Sequence, residues 1–506
     1  MNLTNQLRQI IKRLNSEEKK AIIKILSIKN ENIKKENKSL MLFNLLNSDQ
    51  VLSSTDVQLT LYGKTNYLAF NKLCNRLKEK TLDTLLLENS IICSNYNKRS
   101  EQIFILKKKI IQAEILNLKG LRNESDSIVK KIISVSNEYE LYDLGIQGLQ
   151  LREKYLRIRD SQKTIKKIKN QISINENKLK SLKEAQSRFN YILNKIANVS
   201  NKFKYLEELN SAIEEIGAFY NLSNSALIKY FYLLLMTEKM QVELRFEKAN
   251  DLLEEALKVV QEKSVFTNTR IGSVLLSKSD NYVRLFDFKN AMKYAIKSEP
   301  YFSTNVVNVS LVLENKFYIN YFQGNYEKAK ENVQQLMKIP LANNTNLSMN
   351  RYNLFYAVLL FISKKYAESI EHLYNLSDIE KDKDGWNINI RVLIIISQIE
   401  LKEYEKAEVL IENLTKFIRR VEKQYPIERR FKQISKLLMF LSQNYFDFSK
   451  LTKRQNDYLV SLNFIDGTYR WKIKSPELIP FEDWCYSKMI NSGKELYSLV
   501  CDKLRS

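Results

Sequence analysis

Phe322-Gln-Gly-Asn-Tyr-Glu-Lys-Ala329 and Leu401-Lys-Glu-Tyr-Glu-Lys-Ala407 are the two stretches whose reading decides the fold. Each follows an apolar run, and each sets an aromatic residue three positions before an alanine. The pairing recurs as Phe246 with Ala249, Phe288 with Ala291, Tyr326 with Ala329, Tyr366 with Ser369 and Tyr404 with Ala407. Successive aromatic positions are 42, 38, 40 and 38 residues apart. On a helix, positions i and i+3 share a face, so every pair presents a ring to the core beside a side chain small enough for a neighbouring helix to come close. Gly324 suits the left-handed conformation that ends a first helix, and Tyr326 then opens the second. Pro300 and Pro340 fall 9 and 11 residues after a small position and stop the second helix of their hairpins.

Glycine, an aromatic and alanine at these offsets across an inter-helix turn, with proline closing the unit, resemble the tetratricopeptide (TPR) pattern. The resemblance covers residues 240–425, with a period longer than the usual 34 residues. It implies an all-α, right-handed solenoid of stacked helical hairpins, here with a period of about 38–42 residues, in a functionally mixed set of protein-binding scaffolds, and so speaks to architecture far more than to activity. The expected organisation is a basic helical region at 1–95, degenerate hairpins and a long helix at 96–239, repeats at 240–425 and a helical cap at 426–506. The opening Leu14-Asn-Ser-Glu-Glu-Lys-Lys20 and the close Glu477-Leu-Ile-Pro-Phe-Glu-Asp-Trp484 are similar to those of a group of uncharacterised bacterial TPR-like proteins. Outside the repeats, Asn15 with Glu18 reads as a capping box for a helix to Ile28. Tyr67 starts an amphipathic helix whose Leu68, Leu73 and Leu77 suit a three-helix bundle.

Composition points the same way. In 506 residues there are only 10 Gly and 5 Pro, too few for the turns of a sheet-rich fold. The four cysteines form no C-x-x-C pair, so a reducing, cytoplasmic setting is expected. The longest apolar runs fall well short of the roughly 20 residues of a membrane-spanning helix, and no membrane insertion is expected. The formal charge of +23 lies mostly in the amino-terminal half, but lysines outnumber arginines 60 to 21. Arginine is the residue suited to forked phosphate contacts and guanine recognition, so the excess is weak evidence for nucleic acid.

No catalytic or metal site and no cofactor is expected. A single histidine, His372, stands among Glu368, Glu371 and Tyr374 on a repeat helix, where a solvated or partly packed surface is the simpler reading. No phosphate-binding glycine loop exists. The adjacent carboxylates Glu207-Glu208, Glu214-Glu215 and Glu254-Glu255 diverge on a helix and read as surface. Two candidate sites remain. If the TPR resemblance extends to its binding face, Tyr318, Tyr321, Arg351 and Phe361 line an exposed groove for a protein or peptide. Lys163, Lys166, Lys167 and Lys169 crowd one and a half turns and form a candidate basic patch. The leading functional reading is therefore a non-enzymatic interaction scaffold. The alternative is a nucleic-acid-associated regulator, with a basic amino-terminal half and a TPR-like sensing or dimerisation domain.

Overall fold

The computed structural model describes residues 3–28, 37–48, 53–87, 98–155, 162–196, 205–302, 306–339, 346–374, 376–379, 382, 385–424, 427–463, 469 and 471–489. All regular structure among these residues is helical, and the chain divides into two compact units, 1–135 and 136–506.

The first unit opens with α1 (Leu3–Arg13), α2 (Ser16–Ile28), α3 (Lys38–Asn47), α4 (Ser54–Tyr62) and α5 (Tyr67–Leu87). Asn15 and Glu18 form the expected reciprocal cap: the Glu18 amide donates to Asn15 Oδ1 at 2.9 Å and the Asn15 amide to Glu18 Oε2 at 2.7 Å. Leu7, Ile11, Ile22, Leu42, Phe43, Phe70, Leu73 and Leu77 build one core. Leu68 does not join it, being 77% exposed; Phe70 fills the position two residues on. Next come α6 (Lys98–Leu118) and α7 (Arg122–Glu138), which runs across the division between the units.

The second unit is a helical-hairpin solenoid in which each helix from α8 to α22 packs on its neighbour in sequence. It begins with α8 (Tyr142–Tyr155), the 35-residue α9 (Gln162–Ile196) and α10 (Leu206–Ser223). Five hairpins follow: α11 (Ala226–Val242) with α12 (Phe246–Glu262), α13 (Asn268–Arg284) with α14 (Phe288–Ser298), α15 (Val306–Phe322) with α16 (Tyr326–Lys338), α17 (Asn346–Ile362) with α18 (Tyr366–Tyr374), and α19 (Trp386–Glu400) with α20 (Tyr404–Glu422). The chain closes with α21 (Arg429–Gln443), α22 (Lys453–Ser461) and α23 (Phe481–Met489). Pro300 sits in a short 3-10 turn directly after α14; Pro340 and Pro426 lie outside the described residues.

The repeat register is met residue for residue. Phe246, Phe288, Tyr326, Tyr366 and Tyr404 are each the first residue of a second helix, and Ala249, Ala291, Ala329, Ser369 and Ala407 are all fully buried. The rings differ from expectation. They lie half-buried over the turn, with Tyr404 exposed, because the first position of a helix sits at its end and not over its packed face. There they meet neighbouring rings, as Phe288 does Phe322 at 6.3 Å and Tyr366 does Phe361 at 5.1 Å.

Each hairpin turn uses one backbone device. The residue two before the aromatic has positive φ (Leu244, Phe286, Gly324, Lys364, Lys402), and the next amide donates back to a carbonyl five residues earlier, as from Asn325 to Asn320 at 2.8 Å. This is a Schellman ending, which glycine adopts without steric cost. Only Gly324 among the five is glycine. The same device places positive φ at Glu140 ahead of Tyr142, with Gly145 three residues on. A Cβ on Gly145 would lie 3.3 Å from the Ser136 Cβ and from Asn175 Nδ2, so the pairing of an aromatic with a small residue three positions on recurs at the start of α8.

Two outcomes test this register. Ala329→Leu and Ala407→Leu each put a larger side chain into a closed crossing and are expected to lower stability by about 1–3 kcal/mol in urea unfolding, whereas unchanged midpoints would mean the crossings are open. Lys402→Gly relieves a left-handed non-glycine residue and is expected to raise stability by up to about 1 kcal/mol, net of the unfolded-state entropy that glycine adds.

Candidate functional site

The first helices of the last four hairpins, α13, α15, α17 and α19, together with α21, form a row, and the side chains of that row build the site. On α15, Phe317 stacks on Phe355 of α17 at 4.3 Å, and Tyr318 meets the same ring edge-on at 5.4 Å. Arg351 pairs with Glu314 at 2.9 Å and lies over the Trp386 ring at 4.9 Å, linking three successive first helices. The sequence expected Tyr318, Tyr321, Arg351 and Phe361 to be exposed. That expectation is corrected: the three aromatic residues are buried, at 1%, 3% and 3% exposure, and Arg351 is partly buried.

What covers Tyr318 and Tyr321 is the chain itself. Residues 471–480 run in irregular turns into α23, and this strap, 471–489, crosses the row. Its Lys474 ammonium ion-pairs with Asp280 on α13, reaches Asn315 Oδ1 on α15 at 2.6 Å and stands 5.0 Å from the centre of the Tyr318 ring. The Tyr321 hydroxyl donates to the Leu478 carbonyl at 3.2 Å, and Trp471 packs edge-on against Phe322 at 5.8 Å. Further along, Trp484 Nε1 donates to Glu400 Oε1 on α19 at 2.8 Å, and Lys488 pairs with Glu400 Oε2 at 2.5 Å. Trp471, Ile473, Leu478, Ile479, Phe481, Trp484 and Cys485 of the strap are all buried. Phe361 is covered differently, by the Tyr366 ring at the turn.

Arg430 of α21 is the centre of the attachment. Its Nε donates to Glu477 Oε2 at 2.5 Å and its Nη2 to Glu477 Oε1 at 2.7 Å, a forked contact, while Nη2 also binds Glu482. Nη1 donates to the carbonyls of Leu462 at 3.2 Å and Tyr469 at 2.6 Å. Glu477 in turn accepts the Phe481 amide at 2.8 Å, capping the start of α23. The three charged side chains are 3%, 4% and 0% exposed. Burial, with Glu482 nearby, pushes Glu477 above the usual carboxylate range against the pull of Arg430, since two carboxylates share one guanidinium.

At the other end, burial would raise Asp280, but Lys474 and Arg284 beside it hold it well below the usual range. The Tyr366 hydroxyl is pushed up to about 12 by burial and by the Glu400 carboxylate. The arrangement holds polypeptide through fixed charges and rings.

The basic residues Lys163, Lys166, Lys167 and Lys169 are exposed on the first turns of α9, flanking buried Ile168. The first three share a face at i, i+3 and i+4, whereas Lys169 stands 3.7 Å from Glu153 of α8. Farther along the same helix, Arg188 pairs with Glu215 at 3.0 Å. The adjacent carboxylates are likewise occupied by cations of other helices: Glu208 by Lys195, Glu254 by Lys278 and Glu255 by Lys229. His372 is half-buried, 5.0 Å from the Tyr356 ring; burial lowers its pKa, and its Nε2 is enclosed without a hydrogen-bond partner. Among the described residues, no group of three His, Cys, Asp or Glu could hold a metal ion, and no helix is long and apolar enough to cross a membrane.

No family model and no curated protein matches the sequence. Among solved structures, the chain is similar to the apo form of RapI, at 14% identity and a TM-score of 0.42, with 66% of this chain and 87% of that chain covered.

Arg430 gives a direct test of the attachment. Arg430→Met leaves two buried carboxylates without their cation and is expected to cost about 3–5 kcal/mol near neutral pH. The deficit should shrink as pH falls toward 5, because burial already raises Glu477 and loss of Arg430 removes the cation that opposes the rise, so the folded variant binds that proton more tightly than the unfolded chain does. Urea unfolding at a series of pH values measures both, and a pH-independent deficit would remove the charge argument.

Proposed function

We propose that this protein is a non-enzymatic scaffold whose TPR-like first-helix row binds a polypeptide segment of a partner protein. One observation carries the reading: the row already holds a polypeptide, residues 471–489, through a buried arginine on α21, a carboxylate on α19 that takes an indole N–H, an aspartate on α13 that takes a lysine, and ring contacts on α15. Such a surface recognises side chains at intervals along an extended chain, which is how repeat scaffolds grip their ligands. The sequence supports the same conclusion, since histidine-based catalysis has only His372 to draw on and the glycine loops of nucleotide chemistry are missing. A cytoplasmic setting belongs to the reading, and the buried free thiols Cys74 and Cys485 suit it.

The test separates protein from nucleic-acid partners. Full-length protein used as bait in lysate of its native cell, with and without nuclease, should retain the same partner proteins, and the variant Lys163→Gln, Lys166→Gln, Lys167→Gln, Lys169→Gln should retain them too. Oligonucleotide binding by the wild type should be weak and lost at physiological salt, as expected of counterion release from an arginine-poor surface. Partners lost to nuclease, or sequence-selective oligonucleotide binding that survives that salt and disappears in the quadruple variant, would overturn the scaffold reading.

A further inference from the structure

The occupant of the row belongs to the same chain, and that sets a condition on every other ligand. We infer that the strap is a tethered competitor: a partner segment enters the row only by displacing residues 471–489, and that segment carries a carboxylate for Arg430 together with a tryptophan for Glu400. The inference rests on the reading of the row as a polypeptide-binding surface and adds what regulates it and what it selects.

Three features of the attachment support displacement. The strap is held the way a bound peptide is held, mainly by side chains: Lys474 to Asp280 and Asn315, Glu477 and Glu482 to Arg430, Trp484 and Lys488 to Glu400, with one backbone contact from the Leu478 carbonyl to Tyr321. Its backbone closes on itself in short turns, from Ser475 to Lys472 at 3.1 Å and from Leu478 to Pro476 at 3.2 Å, and it extends no helix of the row. The row, meanwhile, has its own packing. The Phe317–Phe355 stack, the Arg351–Glu314 pair and the closed crossings at Ala291, Ala329, Ser369 and Ala407 are formed without any strap residue. Asp280 also pairs with Arg284 of its own helix at 2.9 Å, so departure of Lys474 does not strand it. A tethered segment competes at high effective concentration, so apparent affinity for a free segment scales with the fraction of molecules whose strap is open.

The experiment uses full-length protein and a fluorescein-labelled synthetic peptide of residues 471–489. Lys474→Gln combined with Trp484→Phe weakens both ends of the strap and leaves the row intact, so fluorescence anisotropy should show the peptide binding the double variant about tenfold or more tighter than wild type. Lys474→Gln alone, the milder change, should shift affinity the same way, and a peptide carrying E477Q, E482Q and W484F should lose binding. Hydrogen exchange should show 471–489 opening in the double variant while α15 and α19 stay protected. Equal peptide binding by wild type and variant would overturn the competitor and leave the scaffold reading standing. A strap that exchanges as slowly as α15 and α19 in both proteins would overturn it as well, by making the strap part of the core. An open strap with no peptide binding would overturn both readings.

Discussion

The second unit depends on a steric constraint at five points, where a second helix must cross its neighbour at a residue no larger than alanine or serine. Ala249, Ala291, Ala329, Ser369 and Ala407 are fully closed off from solvent, and Ser369 adds a bond from its hydroxyl to the Ala357 carbonyl at 2.9 Å. Close approach at these crossings lets each hairpin bury its apolar side on the next, which no isolated hairpin can do. The turn follows from the same constraint. Bringing the second helix back at that angle within three residues demands a left-handed position, and four of the five hairpins accept it at Leu, Phe or Lys.

Stacking the hairpins lines up their first helices and leaves their aromatic residues facing the row. An uncovered row would expose Tyr318, Tyr321 and Phe322 together, an apolar surface of the kind that marks a binding site. The strap removes that exposure, and the charges direct where it lies. Arg430 fixes its middle, where every guanidinium N–H has an acceptor and two carboxylates converge on one cation. Glu400 fixes the far end and Asp280 the near end. A buried ionic cluster is weak evidence for stability, because desolvation offsets much of the attraction, but it discriminates strongly among positions of the strap. A displaced register would strand Glu477 and Glu482 without their cation.

The fold was legible in the sequence because its governing signal is local and periodic. An aromatic three residues before a small one, repeated every 38–42 residues, needs only the helix period to be understood. The register even picked out Tyr318 and Tyr321 as residues of the row. Their burial was not legible, since it depends on contacts such as Tyr321 with Leu478, 157 residues away, and Lys474 with Asp280, 194 residues away. The pairing of Tyr142 with Gly145 was not legible as part of the repeat because glycine, not alanine or serine, takes the small position. A signal for the strap did exist: Trp471, Ile473, Leu478, Ile479, Phe481 and Trp484 crowd a stretch with two prolines and no helical period. Such a run must be buried against something else. The helix it leads into is buried from Phe481 to Cys485 without interruption.

Residues 471–489 lie across first helices far apart in sequence, and zero-length carbodiimide cross-linking followed by peptide mass spectrometry reads that placement from the protein in solution. Amide links are expected from Lys474 to Asp280, from Lys472 to Glu428 and from Lys488 to Glu400, each an ion pair between the strap and a different helix of the row or its cap. Strap lysines that link only to carboxylates within 453–489, with none to Asp280 or Glu400, would contradict it.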